Sequence, residues 1–331
     1  MNIRGFVLTV MNTIPSTYNE KQINRTIIGE KDGLPPKIPM SVILLNRSGS
    51  TFRINNIESL LRLGFSDIVS IEAPQTNYNI DELSKKFPHV RFIIPSENLS
   101  PGDMINLGMQ EVDNNKVLVI WDTMHIATKT ITERLLKLLL QDDILCSVPF
   151  LFTDQMQNLP AKNVPTMEDG SFVVKSYSVV QDFSKTLYPF DFVGVYDLQK
   201  FINLGGFDHT ITSGYWQLLD FALRANLWGE KITVCSSFRL NYECELELED
   251  TTPNESYLRF YLKNLCPKFV GDYAYIPKNL FFSYLSRSAL GFWDAFKSFK
   301  MARGWVEKNK FRFKTDAQKL ISTWEEESDE N

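Results

Sequence analysis

The sequence has no Gly-x-Gly-x-x-Gly, no Gly-x-x-x-x-Gly-Lys-[Ser/Thr] and no Gly-x-Ser-x-Gly. It therefore lacks the dinucleotide fingerprint, the phosphate loop and the hydrolase nucleophile elbow. It has four cysteines with no Cys-x-x-Cys spacing, and its three histidines do not cluster. That pattern argues against structural zinc and a disulfide framework, and fits buried reduced thiols in a cytoplasmic protein. No apolar run approaches the roughly 18 residues of a membrane span. The opening Met-Asn-Ile-Arg-Gly-Phe-Val-Leu-Thr-Val is too short an apolar run for a signal peptide, so the cytoplasm is the expected location. Positive charge is also scarce. Lys and Arg number 35 against 40 Asp and Glu, the net charge is -5 and the pI is near 5.4. A nucleic-acid binder is usually basic, so nucleic acid is not an expected partner.

Apolar material, by contrast, is ample. At 44% hydrophobic and 13% aromatic, 331 residues bury a substantial core, as one large α/β domain or two ordinary ones. The organising stretch is Lys116-Val-Leu-Val-Ile-Trp-Asp-Thr-Met-His125. Such a continuous apolar run reads as a buried parallel strand, and it delivers Asp122 to the carboxyl edge where open α/β sheets bind ligands. The plainer reading of Asp122 is a cap for the next helix.

Upstream, strands are expected at Met40–Leu45, Asp67–Glu72 and Val90–Ile94. Helices are expected from Ile54 to Leu63 closed by Gly64, from Ile80 to Phe87, and from Ser100-Pro-Gly-Asp103 to about Asn114. A helix over Thr130–Leu140 and a strand over Asp143–Phe150 follow. The alternation predicts a doubly wound, mainly parallel sheet with helices on both faces. Residues 153–170 read as a long loop, Ser171–Val174 as a strand and Val195–Leu204 as a short helix. Tyr215–Leu227 reads as a buried helix, 231–242 as strand pieces, and Glu243–Asp250 as a solvated acidic edge. A strand over Gly5–Met11 and the turn-rich Gly33-Leu-Pro-Pro36 make residues 1–38 an N-terminal extension. The main domain spans 39–250, and 251–331 form a C-terminal helical arm whose Glu325–Glu330 is a disordered acidic tail.

The order of these pieces resembles the nucleotide-sugar-binding half of GT-A glycosyltransferases of the family 2 type, over roughly residues 40–235. Asn46 and Arg47 stand after the first strand and Glu72 after the second. Asn98-Leu-Ser100 and Ile105-Asn106-Leu-Gly108 answer to a spaced pair of asparagines. Asp122-Thr-Met124 answers to the D-x-D, and Gly205-Gly206-Phe-Asp208 followed by Ser213–Arg224 answers to the acceptor side. There are departures. Ile105 stands for an arginine, Met124 for the second Asp, and Gln217-Leu218 for a Glu-Asp pair whose Asp serves as base.

The resemblance implies transfer of a sugar from a nucleotide-diphosphate sugar to a glycan, lipid-linked or protein acceptor. Asn46, Arg47, Glu72, Asn98, Asn106 and Asp122 would hold the nucleotide sugar. Asp122, helped by His125, would hold Mn²⁺ or Mg²⁺. Asp208 or Asp220 would be the base, and Gly206, Tyr215 and Trp216 would face the acceptor. Arg47 and the amino end of the helix at Ser100 would share in neutralising the diphosphate. Each residue has a structural alternative. Gly205-Gly206 would close a helix, Asp220 would pair with Arg224, Glu72 would cap a helix, and Asn98 and Asn106 would hold loops. His125 would be structural. Two other functions stay open, a binding or scaffold protein that has lost the chemistry, and a sugar-phosphate nucleotidyltransferase.

The arm has its own character. Aromatic residues crowd 280–296, and Arg287–Lys314 carries eight basic against two acidic residues. Such a segment either lies on an anionic membrane surface or docks on the core or on a second copy in a homo-oligomer.

Overall fold

The computed structural model describes residues 21–30, 37–47, 52–65, 67–74, 80–126, 131–246 and 249–329. The expected strand Gly5–Met11 and the turn Gly33–Pro36 lie outside them.

The central sheet begins at an edge supplied by the N-terminal extension. Strand β1 (Arg25–Ile28) runs antiparallel to β4 (Val90–Pro95). Between β4 and the middle lie β3 (Ile68–Ile71) and β2 (Ser41–Leu45), then β5 (Lys116–Trp121), and each neighbour pairs in parallel. All residues of β2, β3 and β5 are buried, as continuous apolar runs in a two-sided sheet require. Helix α1 (Arg53–Leu63) ends at Gly64, whose φ of 102° closes it in the left-handed region. Helix α2 (Ile80–Lys86) follows β3. Helix α3 (Pro101–Met109) starts as expected on the Ser100 cap but stops five residues short of Asn114.

Past β5 the short β6 (Met124–His125) and helix α4 (Glu133–Leu139) lead to β7 (Ile144–Phe152). Two expectations fail here. The stretch 153–170 contains β8 (Lys162–Glu168), which pairs with β9 (Ser171–Tyr177) across Asp169-Gly170, both at positive φ. Residues 194–197 form not a helix but β10 (Gly194–Asp197), which slots antiparallel between β5 and β7. Asp197 then caps helix α5 (Leu198–Leu204). Helix α6 (Gly214–Leu227) is buried on nearly every side, and β11 (Lys231–Tyr242) runs parallel to β7 and antiparallel to β6. The described residues thus form a nine-stranded sheet in the order β1-β4-β3-β2-β5-β10-β7-β11-β6.

The arm opens with α7 (Glu255–Phe260), continued by a π turn over Tyr261–Leu265. Strands β12 (Lys268–Val270) and β13 (Tyr273–Tyr275) make a hairpin before α8 (Leu280–Ser288) and α9 (Phe292–Asn309). Helix α10 (Ala317–Asp329) buries Leu320, Ile321 and Trp324, and its backbone stays helical through most of the acidic tail expected to be disordered. At the α8–α9 corner Phe282, Phe292, Trp293 and Phe296 are exposed, Trp293 by 78%.

Candidate active site

The strand ends are held level by the sheet's own hydrogen bonds. The Asn46 amide donates to the Ile71 carbonyl (3.1 Å), that of Glu72 to Ile93 (2.8 Å) and that of Asp122 to Leu45 (2.8 Å). Asn46, Glu72 and Asp122 therefore share one edge, as the sequence led us to expect.

Their side chains have different fates. Glu72 is 1% exposed. It accepts from Arg53 on α1, from Asn46 Nδ2 (3.1 Å) and from Ser70 Oγ (2.7 Å). Both of its oxygens are engaged, so it acts as a strut between α1 and the sheet. Asp122 Oδ1 accepts from the Arg47 amide (3.3 Å), and its carbonyl accepts from Asn56 Nδ2 (2.6 Å).

Arg47 carries the edge outward into a cavity of about 360 Å³, within the range of small-molecule sites. Its guanidinium lies 3.9 Å from the Trp121 ring centroid and pairs with Asp191. Tyr215, Leu218 and Glu249 close the other walls. Asp191 sits at φ 54°, ψ 30°, with Phe192 also at positive φ. Two successive left-handed residues that are not glycine are unusual. Asp191 is further fixed by the Tyr242 hydroxyl (2.7 Å to Oδ2) and by Trp121 Nε1, which donates to its carbonyl (2.9 Å).

Both carboxyls at this cavity are pushed upward. Burial raises Asp191 against the opposing pull of Arg47 and of the Tyr242 hydroxyl. Burial and the charge of Asp191 push Glu249 up to about 7, while a long hydrogen bond from the Tyr188 hydroxyl (3.4 Å) works the other way. Nothing in the sequence pattern singled out Asp191 or Glu249. Glu249 belongs to the run expected to be a solvated edge, yet it lines the cavity.

The residues expected to be the base lie elsewhere. Asp208 is fully buried and accepts from Lys263 Nζ (2.7 Å), Arg259 Nε (3.0 Å) and Thr210 Oγ1 (2.6 Å). Asp220, also fully buried, is bound by Lys263 (2.9 Å), Arg224 (3.2 Å) and Asn264 (2.8 Å). Burial pushes the Asp208 carboxyl up, but Lys263 and Arg259 outweigh it and hold the group well below the usual carboxylate range. These aspartates clamp the arm to α6, and a base must reach a substrate.

Several other expected positions are also structural. Trp216 packs among Tyr215, Tyr257 and Phe260 and donates to the Thr252 carbonyl (3.0 Å). The Gly206 carbonyl accepts from Arg224 (2.8 Å). Asn106 exchanges two hydrogen bonds of 2.9 Å with the Phe207 backbone. Asn98 is exposed in the loop after β4.

The amino end of α3 is already capped. Ser100 Oγ accepts from the Asp103 amide (3.2 Å) and Gln217 Oε1 accepts from the Gly102 amide (3.0 Å), so the donors expected for a diphosphate are spent. Gly102 permits this approach, since a Cβ there would stand 2.5 Å from the Gln217 carboxamide.

For a divalent cation the donors are sparse. Met124 is buried, and His125 is half-buried on β6, whose partner is β11. Among the described residues no group of three His, Cys, Asp or Glu side chains converges. An ion beside Asp122 therefore fits only if a bound diphosphate and water supply most of its oxygens.

No family model matches the sequence, and no curated protein matches it. Among solved structures, GalNAc-T7 with UDP, GalNAc and Mn²⁺ has a TM-score of 0.63 at 13% identity, over 89% of this chain and 58% of that one. Residues 1–349 of TarS from S. aureus, in complex with UDP-GlcNAc, give 0.48 at 10% identity, over 82% and 72%. The mannosyltransferase PcManGT from Pyrobaculum calidifontis, with GDP-Man and Mn²⁺, gives 0.44 at 7% identity, over 88% and 74%. The first carries the argument, and this chain has a GT-A-like fold. The chain covers little more than half the length of that protein.

Proposed function

We propose that this protein transfers a sugar from a nucleoside-diphosphate sugar to a hydroxyl acceptor in the cavity at the carboxyl edge of the sheet. The observation that carries this reading is the cavity itself. It lies beside Asp122, is walled by Arg47 and Trp121, and is closed opposite by Tyr215 and Glu249. Arg47 offers cationic charge toward a leaving diphosphate, and Trp121 and Tyr215 offer faces against which a sugar ring packs. Asp122, with His125 nearby in sequence, would hold a divalent ion, which would supply further neutralisation of the diphosphate.

The GT-A-like fold and the donors named for the similar structures, UDP with GalNAc, UDP-GlcNAc and GDP-Man, guide the choice of probes. Thermal unfolding should be followed with UDP- and GDP-sugars, each with and without Mn²⁺. A bound donor at about one hundred times its Kd adds roughly 2.7 kcal/mol and raises Tm measurably. Absence of a shift with every donor would instead favour the scaffold reading, toward which buried Met124 and the clamped Asp208 and Asp220 point.

For the acceptor we favour a lipid-linked molecule at an anionic membrane surface. Exposed Phe282, Phe292, Trp293 and Phe296 share the α8–α9 corner with Arg287, Lys297 and Lys300, the aromatic-plus-basic chemistry of interfacial binding. The protein should co-sediment with phosphatidylglycerol vesicles and not with phosphatidylcholine vesicles, and Trp293→Ala should weaken that. Equal retention on both would remove the charge-based part of the proposal.

A further inference from the structure

We propose that Glu249 is the general base of this site, acting from the segment after β11 in place of the helix position that Leu218 occupies. The inference rests on the transferase reading above.

Two facts meet in one cavity. Leu218, on α6, stands where the resemblance put a catalytic aspartate, and in the structure it lines the same cavity as Glu249. An apolar group at that position takes no proton, so the carboxylate facing the same space has to come from another element.

The other carboxylates near the cavity are engaged or turned away. Asp191 is tied by Arg47 and by the Tyr242 hydroxyl. Asp122 Oδ1 accepts from the Arg47 amide. Asp250 is exposed on the rim, and its Oδ1 accepts from the Thr252 amide (3.0 Å). Asp208 and Asp220 are consumed by Lys263. Glu249 differs from all of these. The Tyr188 hydroxyl approaches one of its oxygens at 3.4 Å, and no cation forms an ion pair with it among the described residues. A long hydrogen bond of this kind orients a carboxylate without occupying its second oxygen.

The chemistry balances. The acceptor oxygen forms its bond to the anomeric carbon as the bond from that carbon to the diphosphate oxygen breaks. The leaving oxygen keeps the electron pair, and the acceptor proton passes to a Glu249 carboxylate oxygen. The surroundings suit the task. Burial beside Asp191 pushes the Glu249 carboxyl up to about 7, where a base both accepts and gives up a proton near neutrality. The titratable and charged groups around it are Arg47, Tyr188, Asp191, Tyr215, Tyr242 and Asp250.

The test uses the full chain and the UDP- or GDP-sugar that shifts its melting, with water as acceptor and release of nucleoside diphosphate as signal. Glu249→Gln should lower kcat by about 10²–10⁴-fold, leave KM for the donor within a few-fold, and abolish the limb of the kcat profile near pH 7. Sodium azide carries no proton to be removed, so it should restore turnover of the variant as glycosyl azide. Wild-type kcat with an unchanged pH limb in Glu249→Gln would overturn the base while leaving the transferase standing. A fall in donor affinity with no azide rescue would reduce Glu249 to a binding residue and likewise overturn it. A wild-type protein that binds none of the donors, or binds one and releases no nucleoside diphosphate from about pH 5 to about 9, would overturn both.

Discussion

The molecule holds two buried pairs of carboxylates, and they have opposite fates. Asp208 and Asp220 share Lys263, with Arg259 and Arg224 beside them, so two negative charges face three cations. Asp191 and Glu249 face one cation, Arg47, and otherwise only hydroxyls. Burial penalises the charged form in both places. Where cations outnumber carboxylates, Coulomb attraction wins and Asp208 falls well below the usual range. Where they do not, desolvation wins and both cavity carboxyls rise. One pair is thereby committed to holding the fold, and the other is left able to exchange a proton. Depth of burial does not separate them; the number of cations does.

Removing the cation should have the largest effect. Lys263→Met leaves two buried carboxylates short of their shared partner and should cost about 3–5 kcal/mol in urea unfolding at neutral pH. The depressed Asp208 pKa contributes stability that is present above the ordinary aspartate value and is lost as pH falls through the folded value. The gap between variant and wild type should therefore narrow on acidification. A loss under about 1 kcal/mol would mean that the first pair is no clamp.

The second pair should respond with the opposite sign and a smaller size. Glu249 has a folded pKa of about 7 against an ordinary value of 4.5, so the native state favours the protonated form. Its contribution is fully present below 4.5 and is lost as pH rises through about 7. Glu249→Gln keeps the neutral shape at every pH. It should be more stable than wild type by ~2 kcal/mol near pH 8, a gain that fades below the ordinary glutamate range. Equal stability of the two proteins at all pH values would show that Glu249 is well solvated, and the contrast between the pairs would collapse.

The frame of the fold was legible in the sequence because buried parallel strands are written as unbroken apolar runs. β2, β3, β4, β5 and β7, with their helices, stand where that pattern put them. The hairpin of β8 and β9 was legible as well, since Asp-Gly between two extended stretches is a strong turn signal, and its strand was misread as loop. β10 was not legible. Four residues between a loop and a helix carry no period of their own, and their strand form comes from the gap between β5 and β7.

The site divides in the same way. The ends of β2, β3 and β5 follow from the sheet. Asp220 does point inward, as its helical stripe implied, but the Lys263 that captures it lies 43 residues later on another element. The burial of Glu249 likewise depends on the walls around it, while its acidic neighbours in sequence read as solvent-facing.

The π turn at Tyr261–Leu265 has a consequence for how this chain tolerates change in length. A π turn holds one residue more than the α-helical turn it replaces. Deleting one residue there would restore ordinary winding and rotate everything downstream by about 100°. Lys263 would swing away from its aspartates, and the helices that follow would present different faces to the body of the protein. Phase, more than composition, is what that turn keeps. A substitution in α9 is a local event, whereas a single-codon deletion at 261–265 would shift the register of the last sixty or so residues at once.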